Sequence, residues 1–300
     1  MIVAQNVTKT FGTKAAVKDM NCTIPKGCIY GLIGSNGAGK STFLRLITGI
    51  YRPDNGEITV DGQPVYENPK TKAKITFVPD DLYFPGGASM NRMADLYANV
   101  YAKFDRAYFT TMASRLHLDP KKPTGGFSKG MRRQAATILA LATRPDYIFF
   151  DETFDGLDPV VRNMVKNLIA EDVIERQTTV ILTSHSLREL EDTCDQLALL
   201  HMGGVVFESD VQDLQTTSFK VQIAFSDEYD STRFEDMELR DFNKRGSVST
   251  FIVRGDREQM GSKLRAMNPV LLDILPLSLE EVFIHEMQAL GYAFDLEVTE

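Results

Sequence analysis

Alternating apolar and polar positions mark the first two dozen residues as short strands: Ile2 to Val7 alternates, Phe11-Gly12 makes a turn, and Ala16 to Ile24 alternates again. Cys28 to Ile33 is an apolar run with the character of a buried strand, and Ser41 to Thr48 then spaces Phe43, Leu44 and Ile47 along one helical face. Strand, glycine loop and helix thus follow one another directly. Ile58 to Val60 reads as a strand entering the tight turn Asp61-Gly62, and Ile75 to Val78 as a strand stopped by Pro79. From Ala88 to about Leu118 the period becomes helical, with Met90, Met93, Leu96 and Val100 and then Phe109, Met112 and Leu116 on packing faces. Pro123 to Gly126 leads to a further helix beginning near Ser128. Tyr147 to Phe150 is a wholly apolar strand running into two acids, and Thr179 to Thr183 is a strand ending at Ser184-His185. Helices between parallel strands imply a layered α/β core with ligands at the strands' C-terminal ends.

The texture changes after about Gln215. Phe219 to Phe225 and Val248 to Val253 alternate, Arg257 to Met267 has helical character, Leu271 to Leu275 reads as a last strand, and Ser278 to Leu290 as a last helix. This predicts two domains, 1–215 and a small α+β accessory domain over 216–300.

Composition narrows the function more than the fold. The chain has 300 residues, 43% hydrophobic and 25% charged, which is ordinary globular content. Its net charge of -8 argues against nucleic acid as a partner, because phosphate binding by a whole domain shows as a basic excess. Cys22, Cys28 and Cys194 have neither disulfide-framework nor zinc spacing, and read as packing thiols in a reducing compartment. The N-terminus has no basic segment followed by an apolar run, and no stretch approaches the ~18 to 20 apolar residues that cross a bilayer. Service to a membrane would therefore be by docking.

The chemistry is concentrated in a few segments. Gly34 to Ser41 reads GSNGAGKS, a match to GxxxxGK[ST] at every fixed position and in the strand-to-helix context such a loop requires. Glycines let successive N–H groups point at phosphate oxygens, and the following helix adds its positive end. The phosphate-binding candidates are Gly34, Ser35, Asn36, Gly37, Ala38, Gly39, Lys40, Ser41 and the adjoining Thr42. Lys40 supplies a mobile cation for the terminal phosphates, and the Ser41 hydroxyl is a candidate Mg²⁺ ligand. The strand Tyr147 to Phe150 delivers Asp151, which suits a metal-linked acid, and Glu152, placed to orient or polarise a water for attack on the γ-phosphate.

Three further segments, in order, resemble the ATP-binding cassette (ABC) family. Phe127 to Met131, FSKGM, looks like its LSGGQ signature; Gly156 to Asp158, GLD, resembles its D-loop; and His185, which follows the strand TVILTS, resembles its switch histidine. Phe11 matches the aromatic position that stacks on adenine. The resemblance covers about residues 1 to 215. It implies a P-loop NTPase of the ABC type: a parallel core sheet, an antiparallel N-terminal β subdomain and a helical subdomain at about 86–144. It further implies ATP and Mg²⁺ as cofactors, Glu152, His185 and Lys40 as catalytic groups, and Ser128, Gly130 and Asp158 as residues that meet nucleotide across a dimer. Ser128 can also cap the helix that follows it, where free N–H groups favour phosphate.

There are departures from the pattern. Asp80 stands where the family carries glutamine, and as a carboxylate it could ligate Mg²⁺ beside Ser41 and Asp151, or point away into solvent. Phe127, Lys129 and Met131 replace the signature's leucine, first paired glycine and glutamine, and Thr153 replaces a proline. With Glu152 present, the resemblance implies a hydrolytic subunit on the cytoplasmic face of a membrane. It would drive a separate membrane-spanning transporter subunit, an exporter by its closest resemblance, together with a second ATP-binding subunit, identical or different. The competing expectation is a soluble or regulatory ABC module that binds ATP without acting as a transport motor.

Overall fold

The computed structural model describes residues 1–154, 156–211, 218–237, 239–278, 280–281 and 284. They divide into two compact units, Met1–Glu208 and Ser209–Glu300. The helix expected from Ser278 to Leu290 lies largely outside the described residues.

In the first unit, β1 (Ile2–Phe11) and β2 (Lys14–Ile24) form a hairpin, β3 (Ile29–Ile33) leads into helix α1 (Lys40–Ile47), and β4 (Asn55–Val60) and β5 (Gln63–Pro64) follow. A one-turn helix α2 (Pro69–Lys72) precedes β6 (Ile75–Val78). Then come α3 (Met90–Val100), α4 (Arg106–Arg115) and α5 (Lys129–Ala142), the helical stretch that the 3.6 period predicts. The chain continues through β7 (Tyr147–Phe150), α6 (Pro159–Arg176), β8 (Thr179–Ser184), α7 (Leu187–Glu191), β9 (Gln196–His201) and β10 (Gly204–Asp210).

Two sheets result. One is four-stranded in the order β2-β1-β4-β5, with every pairing antiparallel. The other is six-stranded in the order β10-β9-β3-β8-β7-β6, and within it β6 to β9 and β3 run parallel. Their apolar faces and α1 share a core in which Ile2, Val17, Phe43, Leu44, Phe149 and Ile181 are nearly inaccessible to solvent. The parallel strands β3, β7 and β8 are buried at every position, which explains why they read as continuous apolar runs. Because β3, β8, β7 and β6 are parallel neighbours, their C-terminal ends share one edge of the sheet. The segments that leave that edge are the glycine loop, His185, Asp151-Glu152 and Pro79-Asp80.

A charge cluster braces the start of β7. The Asp61 carboxylate accepts hydrogen bonds from Tyr147 Oη at 2.6 Å and Lys74 Nζ at 2.9 Å and lies 2.7 Å from Lys26 Nζ. Burial works to raise its pKa, but the bonds from Lys26, Tyr147 and Lys74 prevail and hold it well below the usual carboxylate range. A carboxyl depressed in the folded state stabilises above its unfolded pKa of about 4, and that contribution is lost as pH falls. Asp61→Asn should therefore melt below the parent protein at pH 7, and the gap should narrow on acidification below about pH 4, as differential scanning calorimetry would record.

In the second unit, β11 (Ser218–Ala224), β12 (Leu239–Arg245), β13 (Val248–Arg254) and β14 (Leu271–Pro276) form an antiparallel sheet in the order β12-β13-β11-β14. Helix α8 (Arg257–Ala266) adds Leu264 to a core of Phe219, Val221, Ile223, Phe234 and Phe251.

Candidate functional site

Between β3 and α1 the backbone turns in a way that only glycine permits at two points. Gly39 has φ of 107°, and a Cβ there would stand 2.5 Å from the Ala16 carbonyl oxygen. A Cβ on Gly34 would stand 2.5 Å from that of Leu200. Helix α1 begins at Gly39 with no side-chain cap and no acid in its first turn, whereas α3, α4, α5, α6 and α8 are each capped by a Ser or Asp side chain. The first N–H groups of α1 are thus left to an external anion. Ser35, Asn36 and Gly37 are exposed, while Gly34, Ala38 and Lys40 are buried and Ser41 and Thr42 are half-buried.

Lys40 is folded back into the loop. Its ammonium donates to Gly34 O at 2.6 Å and lies 3.2 Å from Glu152 Oε1, with only 5% of the side chain exposed. Ser41 Oγ donates to Asp151 Oδ1 at 3.0 Å, and Thr183 Oγ1, on the neighbouring strand β8, donates to the same oxygen at 2.8 Å. Asp151 Oδ2 is buried without a hydrogen-bond partner. Among the described residues, no group of three or more His, Cys, Asp and Glu side chains could hold a metal by itself. The donor set of one carboxylate oxygen and one hydroxyl suits a hard cation that takes its other ligands from phosphate and water, so the residues present fit Mg²⁺.

Glu152 is the junction of the site. Its Oε1 faces Lys40, and its Oε2 lies 3.1 Å from His185 Nδ1. Its backbone has φ of 48°, an uncommon conformation for a residue with a side chain, and its N–H donates to Thr183 Oγ1 at 2.9 Å. His185 is 49% exposed, which leaves its ring accessible from solvent. Thr183 bonds both acids, yet neither its residue type nor its position marks it in the sequence beyond membership of the strand.

The remaining candidates are distributed around this cluster. Phe11 is half-exposed at the end of β1, with its ring edge-on to Tyr51 at 5.5 Å. Ser128 caps α5, its Oγ accepting from Met131 N at 3.2 Å, and Asp158 caps α6, accepting from Val160 N and Val161 N at 3.0 Å. A Cβ on Gly130 would meet nothing closer than 3.8 Å. Among the described residues no hydrogen bond joins Ser128, Gly130 or Asp158 to the glycine loop. Asp80 pairs with Arg133 Nη2, so its carboxylate is engaged by a buried cation.

Residues 17–155 match the family model described as "ABC transporter". The chain is 33% identical to the ABC transporter ATP-binding protein YtrB of Bacillus subtilis over 284 residues, 95% of this chain and 97% of that one. It is 30% identical to the Nod factor export ATP-binding protein I of Rhizobium etli, covering 93% of this chain and 90% of that one. Among solved structures, the dimeric post-hydrolysis state of the ATP-binding cassette MJ0796 bound to ADP and Pi superposes with a TM-score of 0.64 at 22% identity, covering 70% of this chain and 99% of that one. That likeness shows the fold, and the similarity to YtrB along nearly the whole length of both chains shows the family: this chain belongs to the ABC transporter ATP-binding proteins.

Proposed function

We propose that this chain, an ATP-hydrolysing subunit that drives a membrane transporter, works as one half of a dimer in which each ATP is held between the glycine loop of one copy and the Ser128-Gly130 segment of the other. The observation that carries the reading is the Lys40–Glu152–His185 cluster beside the Ser41–Asp151 pair, gathered at the C-terminal edge of the parallel sheet. The loop from Gly34 to Thr42 cradles the phosphates, Phe11 offers an exposed aromatic face to the base, and Lys40 neutralises the terminal phosphate charge. Ser41 and Asp151 would hold Mg²⁺, which would supply positive charge to offset that of the phosphates.

Glu152 orients and polarises the attacking water, and His185 braces its carboxylate from the solvent side. A terminal phosphate would draw the Lys40 ammonium away from Glu152, freeing that carboxylate for the water as substrate arrives. The cap geometry at Ser128 supports a composite site: its Oγ accepts from Met131 N, so the segment that carries Gly130 opens helix α5 at the end where free N–H groups favour phosphate. Asp158, in the D-loop segment, would belong to the dimer contact.

The partner is a separate membrane-spanning subunit, which places this chain on the cytoplasmic face; no described helix is long and apolar enough to cross a membrane. A relative named for Nod factor export supports outward movement of cargo, and one named for bacitracin transport supports movement of cargo as such. Complementation tests the composite site. Lys40→Ala and Ser128→Arg chains should each be inactive alone, and mixing them should restore hydrolysis, because a mixed dimer assembles one intact site. Failure of any mixture to recover activity would count against sites shared between copies.

A further inference from the structure

Arg133 has no part in the phosphate cluster, yet it is among the largest fully buried side chains of the protein. It lies in the second turn of α5, the helix whose first turn carries Ser128 and Gly130. Only 2% of its side chain is exposed, against 57% for its partner Asp80. Nη1 donates to Pro79 O at 3.0 Å, and Nη2 donates to Asp80 Oδ1. Both acceptors belong to the segment leaving β6 at the edge of the sheet where Lys40, Ser41, Asp151 and Glu152 gather. The preceding residue, Val78, accepts from Asp151 N at 2.9 Å, so this segment is tied directly to the strand end that bears Asp151 and Glu152.

A buried guanidinium is tolerated only when an anion and further acceptors satisfy it. Asp80 is that anion, and the Pro79 carbonyl fixes the planar fork in one orientation. In return, the Asp80 charge is neutralised before any polyphosphate arrives. A carboxylate held in this way adds little attraction for a cation and little repulsion toward phosphate.

We infer that Arg133 is a positioning residue for ATP hydrolysis: it ties the Pro79-Asp80 segment to the signature helix, and Asp80 serves as the anchor of that tie and not as a Mg²⁺ ligand. The inference rests on the reading of the site as an ATPase and adds to it a link between the segment beside this chain's own nucleotide and the helix that, on that reading, meets the nucleotide of the other copy. The segment beside Asp151 and the helix bearing Ser128 move as one body, because the Arg133 fork cannot leave either acceptor without stranding a buried charge.

The experiment titrates Mg²⁺ against binding of a non-hydrolysable ATP analogue, alongside steady-state hydrolysis, for the parent, Asp80→Ala, Arg133→Lys, Arg133→Met and the double variant Asp80→Asn/Arg133→Met. The half-saturating Mg²⁺ of Asp80→Ala, which leaves no side-chain oxygen at this position, should stay within about twofold of the parent, because no metal ligand is lost. Arg133→Met should lower kcat by about tenfold or more, since it leaves the Asp80 charge uncompensated beside the phosphates. Arg133→Lys, which keeps the charge without the fork, should fall between the two. Adding Asp80→Asn to Arg133→Met should recover a substantial part of the lost rate, because both charges are then gone.

A half-saturating Mg²⁺ raised about tenfold or more in Asp80→Ala would make Asp80 a metal ligand and overturn the inference. Equal losses for Arg133→Met with Asp or with Asn at position 80 would reduce Arg133 to scaffold and also overturn it. Failure of the parent to bind the analogue at any Mg²⁺ concentration would instead overturn the ATPase reading beneath it, and with it the inference.

Discussion

Glu152→Gln is expected to reduce ATP turnover by about 10²- to 10⁴-fold while leaving ATP binding intact or tighter. The amide keeps the shape of the side chain but cannot accept a proton from water in the transition state. It also removes the negative charge that lies 3.2 Å from Lys40 Nζ. In the parent, phosphate competes with this carboxylate for the ammonium. In the variant that competition is weakened, because the amide oxygen carries no full charge, while the backbone acceptors of Lys40, Gly34 O at 2.6 Å and Ser35 O at 3.4 Å, are unchanged. The binding gain and the rate loss thus have one origin. Single-turnover hydrolysis and equilibrium binding of ATP, measured side by side, separate them. Loss of both together would mean that Glu152 supports the fold of the loop and not the chemical step, and its strained φ of 48° makes that the alternative to be excluded.

Lys40→Ala is expected to weaken MgATP binding and to cut kcat/KM by at least about 10²- to 10³-fold, a loss of the size seen when a preorganised charge is removed from a developing anion. The side chain is 5% exposed, so its charge acts through protein and not through water. Its removal leaves Glu152, itself 14% exposed, facing the phosphates without compensation. Substrate binding therefore suffers from repulsion as well as from lost attraction. The two residues touch, so their effects should not add: in a Lys40→Ala background, Glu152→Gln should restore part of the ATP affinity without restoring turnover. Failure of Glu152→Gln to recover any ATP affinity in the Lys40→Ala background would contradict the repulsion described here.

The site was legible in the sequence where function demands a fixed local pattern. Gly34 to Ser41 must be glycine-rich and must join a strand to a helix, and Tyr147 to Glu152 must pass from full burial to two acids within a few residues. The parallel sheet then brings Ser41 to Asp151 across 110 residues of chain, as strand order alone would arrange. Contacts that depend on side-chain packing were not legible. Arg133 and Asp80 lie 53 residues apart, and nothing in RRQAA marks one arginine as buried. Thr183 reads as an ordinary strand residue until its hydroxyl is seen between Asp151 and Glu152.

Among the elements, β12 escaped the pattern for two physical reasons. It is an edge strand carrying Arg240, Asp241, Lys244 and Arg245, and its pairing with β13 shifts register between Arg240 and Asn243, where Asp241 has φ of 50°. Charge protects such an edge, and a bulge breaks the alternation by which a strand is recognised. Strand β9 was missed for the opposite reason: Leu197 to Leu200 are all buried, and so short an apolar run has no period to distinguish strand from helix. Asp158-Pro159 carries both the cap and the first-turn proline that open α6, a local signal strong enough to have placed that helix in the sequence.

The most direct test of the account is the specific activity of Mg²⁺-dependent ATP hydrolysis by the purified chain across a wide range of protein concentration. A composite site requires two copies, so activity per chain should rise with concentration and then level off as dimers fill, and it should vanish at every concentration in Lys40→Ala. A specific activity that is constant down to the lowest concentration, in a chain shown by sedimentation to be monomeric throughout, would contradict it.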